Sequence, residues 1–564
     1  MHPLLHSEPG TTMLLLGNEA IVRGAIEAGL KVGTTYPGTP SSEIGNNLFF
    51  ISQEEDSPFY FEFSTNEKVA MEVAAAASAS GLRSLCCMKH VGLNVASDAL
   101  MTLAYIGTKG GMVIVTADDP SMHSSQNEQD NRVYARFANL PMLEPRSPQE
   151  AKDMTIEAFE ISERLELPVI LRTTTRTAHV RGAVKFGEPA RSSEGEKGKF
   201  EKEPRRWVPV PAVARVRHKV LLERMEQCKE MSEGSSFNTL SGNGTELAIV
   251  SSGVASNYAF DAISELGLTE RVRHLDLGFT HPLPRAKVLE LLSGQDKVLV
   301  VEELEPIVED EIRVICQEER IEVEIFGKRS GHFSRAYEFS PRMVREAIME
   351  ILHLKPTVER HTPDLSWIPE LPMRPPVLCK GCPHRETYNA VKEALKEIGA
   401  EENAIYPTDI GCYTLGLLPP INMADYLICM GSSVGSSCGF SASTDHKVVS
   451  FIGDSTFFHS GISPLVNAVH NGHKFCLVIM DNSTTAMTGH QPNPGITLKP
   501  KGFDKPTVSI EAVVRGCGVR HVTKINPYKK KEAVETLKEV LAKDELTVVI
   551  SEAPCILYAK RVKR

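Results

Sequence analysis

No stretch of this 564-residue chain approaches the ~18 consecutive apolar residues that would span a bilayer, so a helical membrane protein is excluded. A basic excess is missing too. The 62 Lys and Arg stand against 72 Asp and Glu, a net charge of −10, and no global field recruits nucleic acid or an anionic membrane surface. The short basic runs YKKKE and RVKR read as solvated surface. The opening MHPLLHSEPGTTMLLLG lacks the basic lead of a signal peptide, and its apolar run is only a few residues long. Twelve cysteines in a chain of this length do not make a secreted disulfide framework. No internal repeat is present. What remains, 41% hydrophobic and 24% charged residues, is ordinary for a globular protein, and at ~100–200 residues per domain the length suggests three or four domains. The expectation is a cytoplasmic, multi-domain α/β enzyme.

The first 185 residues alternate β-rich runs with helical stretches. LLLGNEAIVRGAIEAGLKVGTTYPGTP reads as strand, helix and a turn punctuated by Gly38 and Pro40. GMVIVTADDP and LPVILRTTTR are continuous apolar runs ending in polar residues, the pattern of buried parallel strands whose C-terminal ends carry chemistry. NEKVAMEVAAAASASG reads as a helix capped by Asn66 or Thr65 and closed by Gly81. Residues 186–240 are charged and rich in Gly, Ser and Pro, and read as a linker containing one helix. A second α/β unit follows over 241–360, with strands in ELAIVSSG, VRHLDLG, KVLVVEELEP and IEVEIFG. A third runs over 361–564, with strands expected in DYLICMG, KVVSFIGDS, FCLVIMDN and LTVVISEAP.

The strongest local signal lies in that third unit. One strand ends in Gly453-Asp454-Ser455, a helix follows, and the next strand ends in Asp481-Asn482. Asp454 and Asn482 are 28 residues apart, one strand–helix–strand crossover, so both strand ends emerge side by side on the same sheet edge. A carboxylate and an amide oxygen so placed suit Mg²⁺, which takes few protein oxygens and completes its octahedron with phosphate oxygens. Gly453 allows close backbone approach, and the following helix N-terminus favours phosphate charge. This is the Gly-Asp…Asn pattern of thiamine diphosphate enzymes. That cofactor needs a carboxyl group against its pyrimidine ring, supplied from an apolar domain. Glu67, opening the Ala-rich helix, fits, although a first-turn glutamate also serves simply to complement the helix dipole.

Cys379-Lys380-Gly381-Cys382 opens the third unit, Cys412 follows in DIGCYTLG, and Cys555 lies in SEAPC. A CxxC alone suits a zinc half-site, a redox pair or a turn. Four thiolates gathered from loops of one domain also suit a [4Fe–4S] cluster. The other eight cysteines read as core or surface thiols.

Taken together, GNEAIVRGAIEAG, YPGTPSSEI, NEKVAMEVAAAASASG, MKHVGLN, DDPSMHSSQNEQDNR, CKGCPHR, TDIGCYTLG, GDSTFFHSGI and MDNSTTAMTGHQPNPG resemble the large (alpha) subunits of the indolepyruvate:ferredoxin oxidoreductases, within the 2-oxoacid:ferredoxin oxidoreductases. The resemblance covers nearly the whole chain except the linker. It implies a multi-domain α/β fold: a pyrimidine-binding (Pyr) parallel-sheet domain over 1–185, a transketolase-C-like α/β domain over 241–360, and a diphosphate-binding (PP) parallel-sheet domain over 361–564. It implies Glu67 as the residue activating the pyrimidine, and Asp454, Asn482 and the Thr484 carbonyl as Mg²⁺ ligands. Gly431, Gly453, Ser455 and His384 are further candidates for the cofactor surface. Thr39 matches a substrate-facing threonine, and Lys89, His90, Asn94, Ser125 and Gln126 fall where related enzymes line the 2-oxoacid pocket. Cys379, Cys382, Cys412 and Cys555 match ligands of a [4Fe–4S] cluster.

The activity so implied is thiamine-diphosphate-dependent oxidative decarboxylation of an arylpyruvate with CoA to an arylacetyl-CoA, with electrons passed through the cluster to ferredoxin. A small beta (gamma-domain) subunit and a dimer of heterodimers go with it. Two features depart from the pattern. Ala76 stands where a glycine is usual, and no CxxCxxCxxxCP motif follows Cys555, which is nine residues from the end. The expectation is direct transfer to an acceptor, a separate iron–sulfur subunit, or non-oxidative chemistry, making a thiamine diphosphate decarboxylase or carboligase the alternative. Retention of Glu67, Asp454 and Asn482 argues against a degenerate scaffold subunit.

Overall fold

The continuous apolar runs become fully buried strands. Met112–Asp118, Val169–Thr174, Leu247–Ser252 and Cys476–Asp481 are buried at every position, as strands covered on both faces must be. The computed structural model describes residues 2–190, 197–355, 367–370, 372, 374–499 and 503–562. They divide into two compact units, Met1–Thr362 and Pro363–Arg564.

The first unit holds two principal sheets. One has seven strands in the order Phe279–His281, Met142–Leu143, Val169–Thr174, Met112–Asp118, Ser84–Lys89, Val32–Thr35, Tyr60–Phe63. All its pairs are parallel except the outermost, Phe279–His281 against Met142–Leu143. Its strands therefore end together, and residues 36–39, 64–67, 89–90 and 118–119 leave from one edge, where open parallel sheets place ligands. The other sheet has five strands, Glu324–Phe326, Lys297–Val301, Leu247–Ser252, Val272–Leu277 and Asn238–Ser241, the last antiparallel. The helix inside 186–240 is Pro211–Gly234. It buries Leu221, Met225, Cys228 and Ser232, a stripe at helical spacing, on one face.

The second unit is a five-stranded parallel sheet ordered Ala404–Ile405, Lys447–Gly453, Cys476–Asp481, Thr547–Glu552, His521–Ile525. Side chains alternate between its faces. Val449, Phe451 and Val478 join the apolar cluster that includes Val391, Ala394 and Leu537, while Val448, Ile452 and Ile479 join the one that includes Val434, Leu465 and Val514.

The structure corrects the expected elements at three places. DYLICMG is no strand: only Tyr426 makes an isolated bridge to Pro407, and Tyr426 and Ile428 are exposed. The place beside Lys447–Gly453 is taken by Ala404–Ile405, so this apolar run has no sheet position to fill. KVGTT, read as leading into a turn, contains the strand Val32–Thr35, where Gly33 admits the Phe61 ring and Leu48. His521–Ile525 is an edge strand that its mixed polarity concealed. The expected domain boundary at 360/361 and part of the 186–240 segment lie outside the described residues.

Candidate cofactor site

In the second unit, Gly453 pairs in register with Met480, so Asp454 and Asn482 leave the sheet at the same edge. Asp454 is 3% exposed. Its carboxylate accepts from the Asn493 amide (2.9 Å) and from the Ser455 backbone N–H (2.9 Å), and no Lys or Arg pairs with it among the described residues. Burial, with the Asp481 carboxylate nearby, pushes its pKa up to about 8. A buried carboxylate without a cation is costly in its charged form, and a divalent ion at that edge removes the cost. The donor set therefore fits Mg²⁺. Asn482 is held on three sides: Oδ1 accepts from the Thr484 N–H (3.1 Å), Nδ2 donates to His384 Nε2 (2.9 Å), and its carbonyl accepts from the Cys555 N–H (2.9 Å). The Ser455 hydroxyl accepts from Thr485 Oγ1 (2.9 Å).

Gly431 has φ +80° and caps the helix Ser432–Ser443, and a Cβ there would lie 2.5 Å from Ser460 Cβ. The space a Cβ at Gly453 would fill is held by the Tyr413 ring, 2.7 Å away. Tyr413 donates to Asp409, which Ser433 Oγ also contacts at 2.7 Å. Burial pushes the Asp409 carboxyl up to about 7 despite both donors. His384 is buried, its ring edge-on to Tyr413 at 5.9 Å, and burial lowers its pKa to about 4, so it is a neutral imidazole.

Three cysteines of the same unit, Cys379, Cys382 and Cys555, act electrostatically on a fourth, Cys412. Cys379 and Cys382 flank a tight turn, with the Cys382 N–H donating to the Cys379 carbonyl (3.1 Å), and Tyr528 Oη donating to the Gly381 carbonyl (2.8 Å). Burial pushes the Cys412 thiol up to about 12, and the charges of Cys382, Cys555, Cys379 and Asp454 add to that. Cys382 is raised by burial, with Cys379 and Cys555 contributing. Cys412 thus lies within electrostatic reach of the other three thiols, and none of the four is in a disulfide. The thiolate-rich donor set of Cys379, Cys382, Cys412 and Cys555 fits an iron–sulfur cluster.

In the first unit, Glu67 opens the helix Glu67–Ala79, whose N-cap Asn66 accepts from the Val69 N–H (2.9 Å). Glu67 is buried, and a Cβ on Gly92 would meet its Oε1 at 2.7 Å, so the carboxyl lies against the helix His90–Ile106 at its one glycine. Lys89 packs its stem on Gly38 and donates to the Ser124 carbonyl (3.2 Å). Burial brings its pKa down to about 8 against the opposing charges of Asp119 and Glu67. Thr39 Oγ1 lies 3.3 Å from Ser42 Oγ, and its carbonyl accepts from Ser124 Oγ (3.2 Å). Ser125 Oγ donates to Asp119 (2.7 Å). His90 is buried, its Nε2 3.2 Å from the Asn127 carbonyl. Asn94 and Gln126 are exposed, Asn94 accepting from Tyr134 Oη (2.7 Å). The structure thus gathers Thr39, Glu67, Lys89, His90 and Ser125 along one sheet edge, with Asn94 and Gln126 at its exposed margin.

Comparison with known proteins matches residues 23–231 to "Pyruvate flavodoxin/ferredoxin oxidoreductase, thiamine diP-bdg" and 409–551 to "Thiamine pyrophosphate enzyme, C-terminal TPP binding domain". Indolepyruvate oxidoreductase subunit IorA of Methanothermobacter thermautotrophicus is 51% identical over 566 residues, covering 100% of this chain and 90% of that protein. The same subunit of Pyrococcus horikoshii is 44% identical over 576 residues, covering 98% and 87%. The chain belongs to the indolepyruvate oxidoreductase subunit IorA family. A solved 2-oxoglutarate:ferredoxin oxidoreductase from Magnetococcus marinus matches with TM-score 0.49 and 16% identity over 61% of this chain and 66% of that one.

As an IorA family member the chain is an enzyme subunit with α/β thiamine-diphosphate-binding domains. Among the described residues, no helix is long and apolar enough to cross a membrane. Sequence reasoning passed over Asp119, which orders Ser124 and Ser125, and over Asp409, Tyr413, Asn493 and Gly92. Asp409 and Tyr413 bracket Cys412 in TDIGCYTLG, and that proximity was the available signal.

Proposed function

We propose that this chain is the large subunit of a thiamine-diphosphate-dependent 2-oxoacid oxidoreductase that converts an arylpyruvate, with CoA, to an arylacetyl-CoA and CO₂. Two electrons leave through a [4Fe–4S] cluster on Cys379, Cys382, Cys412 and Cys555, to ferredoxin or a separate iron–sulfur subunit. The observation that carries this reading is the buried Asp454, without a Lys or Arg partner among the described residues and on one sheet edge with Asn482, within electrostatic reach of Cys412. The relatives' printed name, indolepyruvate oxidoreductase, supports the arylpyruvate class.

Thiamine diphosphate, when bound, supplies the electron sink for the negative charge left when CO₂ departs. Asp454, Asn482 and the Thr484 carbonyl would hold Mg²⁺ for the diphosphate, with Gly431, Gly453, Ser455 and His384 shaping the surface around it. Glu67 is the carboxyl that would hydrogen-bond the pyrimidine nitrogen, held close against Gly92. Lys89, with Thr39 and Ser125 nearby, meets the substrate carboxylate as a cation held on a polar edge; His90, Asn94 and Gln126 complete the pocket. Residues 1–185, 241–360 and 361–564 act as pyrimidine-binding, transketolase-C-like and diphosphate-binding domains. A small beta (gamma-domain) subunit completes a cytoplasmic dimer of heterodimers.

The test is iron and acid-labile sulfide in the chain purified anaerobically with its small subunit, followed by CoA-dependent ferredoxin reduction with arylpyruvates. About four of each per large subunit supports the cluster. Bound thiamine diphosphate without iron, and aldehyde release without CoA or acceptor, would instead establish the non-oxidative decarboxylase.

A further inference from the structure

Asn482 is gripped by two segments, and each carries a cluster cysteine. His384, two residues beyond Cys382, takes the amide hydrogen of Asn482 at 2.9 Å. Cys555 takes the Asn482 carbonyl with its own backbone N–H at 2.9 Å. The chemistry of these contacts fixes which atom faces a metal. An amide nitrogen only donates, so His384 Nε2 accepts and the neutral ring carries its proton on Nδ1. Asn482 Oδ1 accepts from the Thr484 N–H with one lone pair and keeps the other. Turning the amide over would set Nδ2 against the Thr484 N–H, donor against donor, a clash that a change of tautomer at His384 does not relieve. The Thr484 N–H therefore sets the amide so that it presents oxygen, the segment around Cys382 anchors its nitrogen end through His384, and Cys555 holds the backbone of the same residue.

We propose that the four-cysteine site and the Mg²⁺–diphosphate site are thermodynamically linked through His384, Asn482 and Cys555, so that filling either one strengthens binding at the other. His384 is in this view a positioning residue: it acts on the metal ligand. Ordering Cys379–Cys382 around a cluster fixes the start of the Pro383–Glu397 helix, and with it His384. Without the cluster, that turn is held by the Cys382 N–H to Cys379 carbonyl bond, by the Tyr528 hydroxyl on the Gly381 carbonyl and by the Arg385 guanidinium on the Leu378 carbonyl. Coupling is reciprocal, so bound Mg²⁺–thiamine diphosphate must equally retain iron. This rests on the reading above that both groups bind.

The experiment uses the full chain with its small subunit, prepared anaerobically. Mg²⁺–thiamine diphosphate affinity is measured by calorimetry before and after iron is stripped by a chelator under reducing conditions. About a tenfold weakening on stripping is expected. The second measurement needs no stripped protein: iron loss to the chelator is timed on the loaded enzyme, and saturating Mg²⁺–thiamine diphosphate slows it about tenfold. His384→Leu, which removes the acceptor, abolishes this protection, whereas His384→Gln, which restores one, retains most of it; a merely structural histidine would not show that rescue. Equal iron-loss rates with and without ligand in wild type, while both groups bind, overturn the linkage alone. Absence of iron or of cofactor binding overturns the function reading and the linkage with it.

Discussion

The two units bury charge in opposite ways. In the first, Arg132 is 3% exposed and donates to Asp130 (2.6 and 2.9 Å), to Glu302 (2.6 Å) and to the Glu303 and Glu305 carbonyls. Arg172 reaches Asp118 (2.7 Å) and Glu144. Burial alone would raise Asp130, but Arg132 and Arg172 outweigh it and hold its carboxyl well below the usual range, whereas burial still prevails at Asp118 and Glu302 despite their arginine partners. In the second unit, Asp454 and Asp409 are as deeply buried and have only neutral donors, and both are pushed up. A carboxylate matched by arginine holds elements of a fold in register, here the seven-stranded sheet and the Lys297–Val301 strand end. One left without a cation is a place for one to bind. Glu67, at the start of the Glu67–Ala79 helix, stands outside that network too, its carboxyl against Gly92.

That last point is open to the largest test. Glu67→Gln keeps size and hydrogen-bonding capacity but cannot share a proton. We expect turnover to fall by about 10²–10⁴-fold with thiamine diphosphate affinity nearly unchanged, measured by ferredoxin reduction and calorimetry. Retention of most activity would remove Glu67 from catalysis. Next in size, Arg132→Met strands Asp130 and Glu302 in the interior, and should destabilise the first unfolding transition by about 3–5 kcal/mol. A change below about 1 kcal/mol would mean the network is not what joins those two sheets.

How much of this contrast was legible in the sequence depends on its physical origin. Strands announced themselves because burial on both faces demands continuous apolar runs, as in GMVIVTADDP and FCLVIMDN. The Asp454–Asn482 pairing was legible because one crossover has a characteristic length. DYLICMG misled, since an apolar run also results when a loop leaves Tyr426 and Ile428 exposed. The arginine network was illegible: Arg132 sits in DNRVYARF among polar residues, and its partner Glu302 is 170 positions away. Charge compensation is a property of tertiary contact, and no local pattern encodes it. Asn493, reaching Asp454 from 39 residues away, was hidden for the same reason.

A third test is graded in pH. In the first unit, burial lowers His274 to about 3 and His281 to about 4. Both folded values lie below the unfolded value near 6.5, so the unfolded chain takes up protons that the folded one refuses. Stability is full above pH ~6.5 and falls as pH drops toward 4, by about 1.4 kcal/mol per pH unit for each imidazole. Unfolding followed at pH 7, 6 and 5 should show this slope, and His274→Gln should lower it by one proton's worth. An unchanged slope in that variant would mean His274 is not kept neutral.

The smallest expected effect on stability is the most discriminating. Asp454→Asn replaces a carboxylate that has no cationic partner by a neutral group of the same shape. The charged form is penalised by burial, so its loss removes a cost; the Ser455 N–H keeps an acceptor, while the Asn493 amide loses one and offsets part of the gain. The cofactor-free protein should therefore unfold within about 1 kcal/mol of wild type, in contrast to Arg132→Met, although both positions are buried to the same degree. The difference appears on adding ligand. At a hundredfold excess over Kd, Mg²⁺–thiamine diphosphate stabilises a binding-competent chain by about 2.7 kcal/mol. The Asn variant, lacking the charge proposed to hold Mg²⁺, should gain little of that. Strong destabilisation of the cofactor-free variant would instead place Asp454 with Asp130, as a carboxylate that the fold itself requires charged.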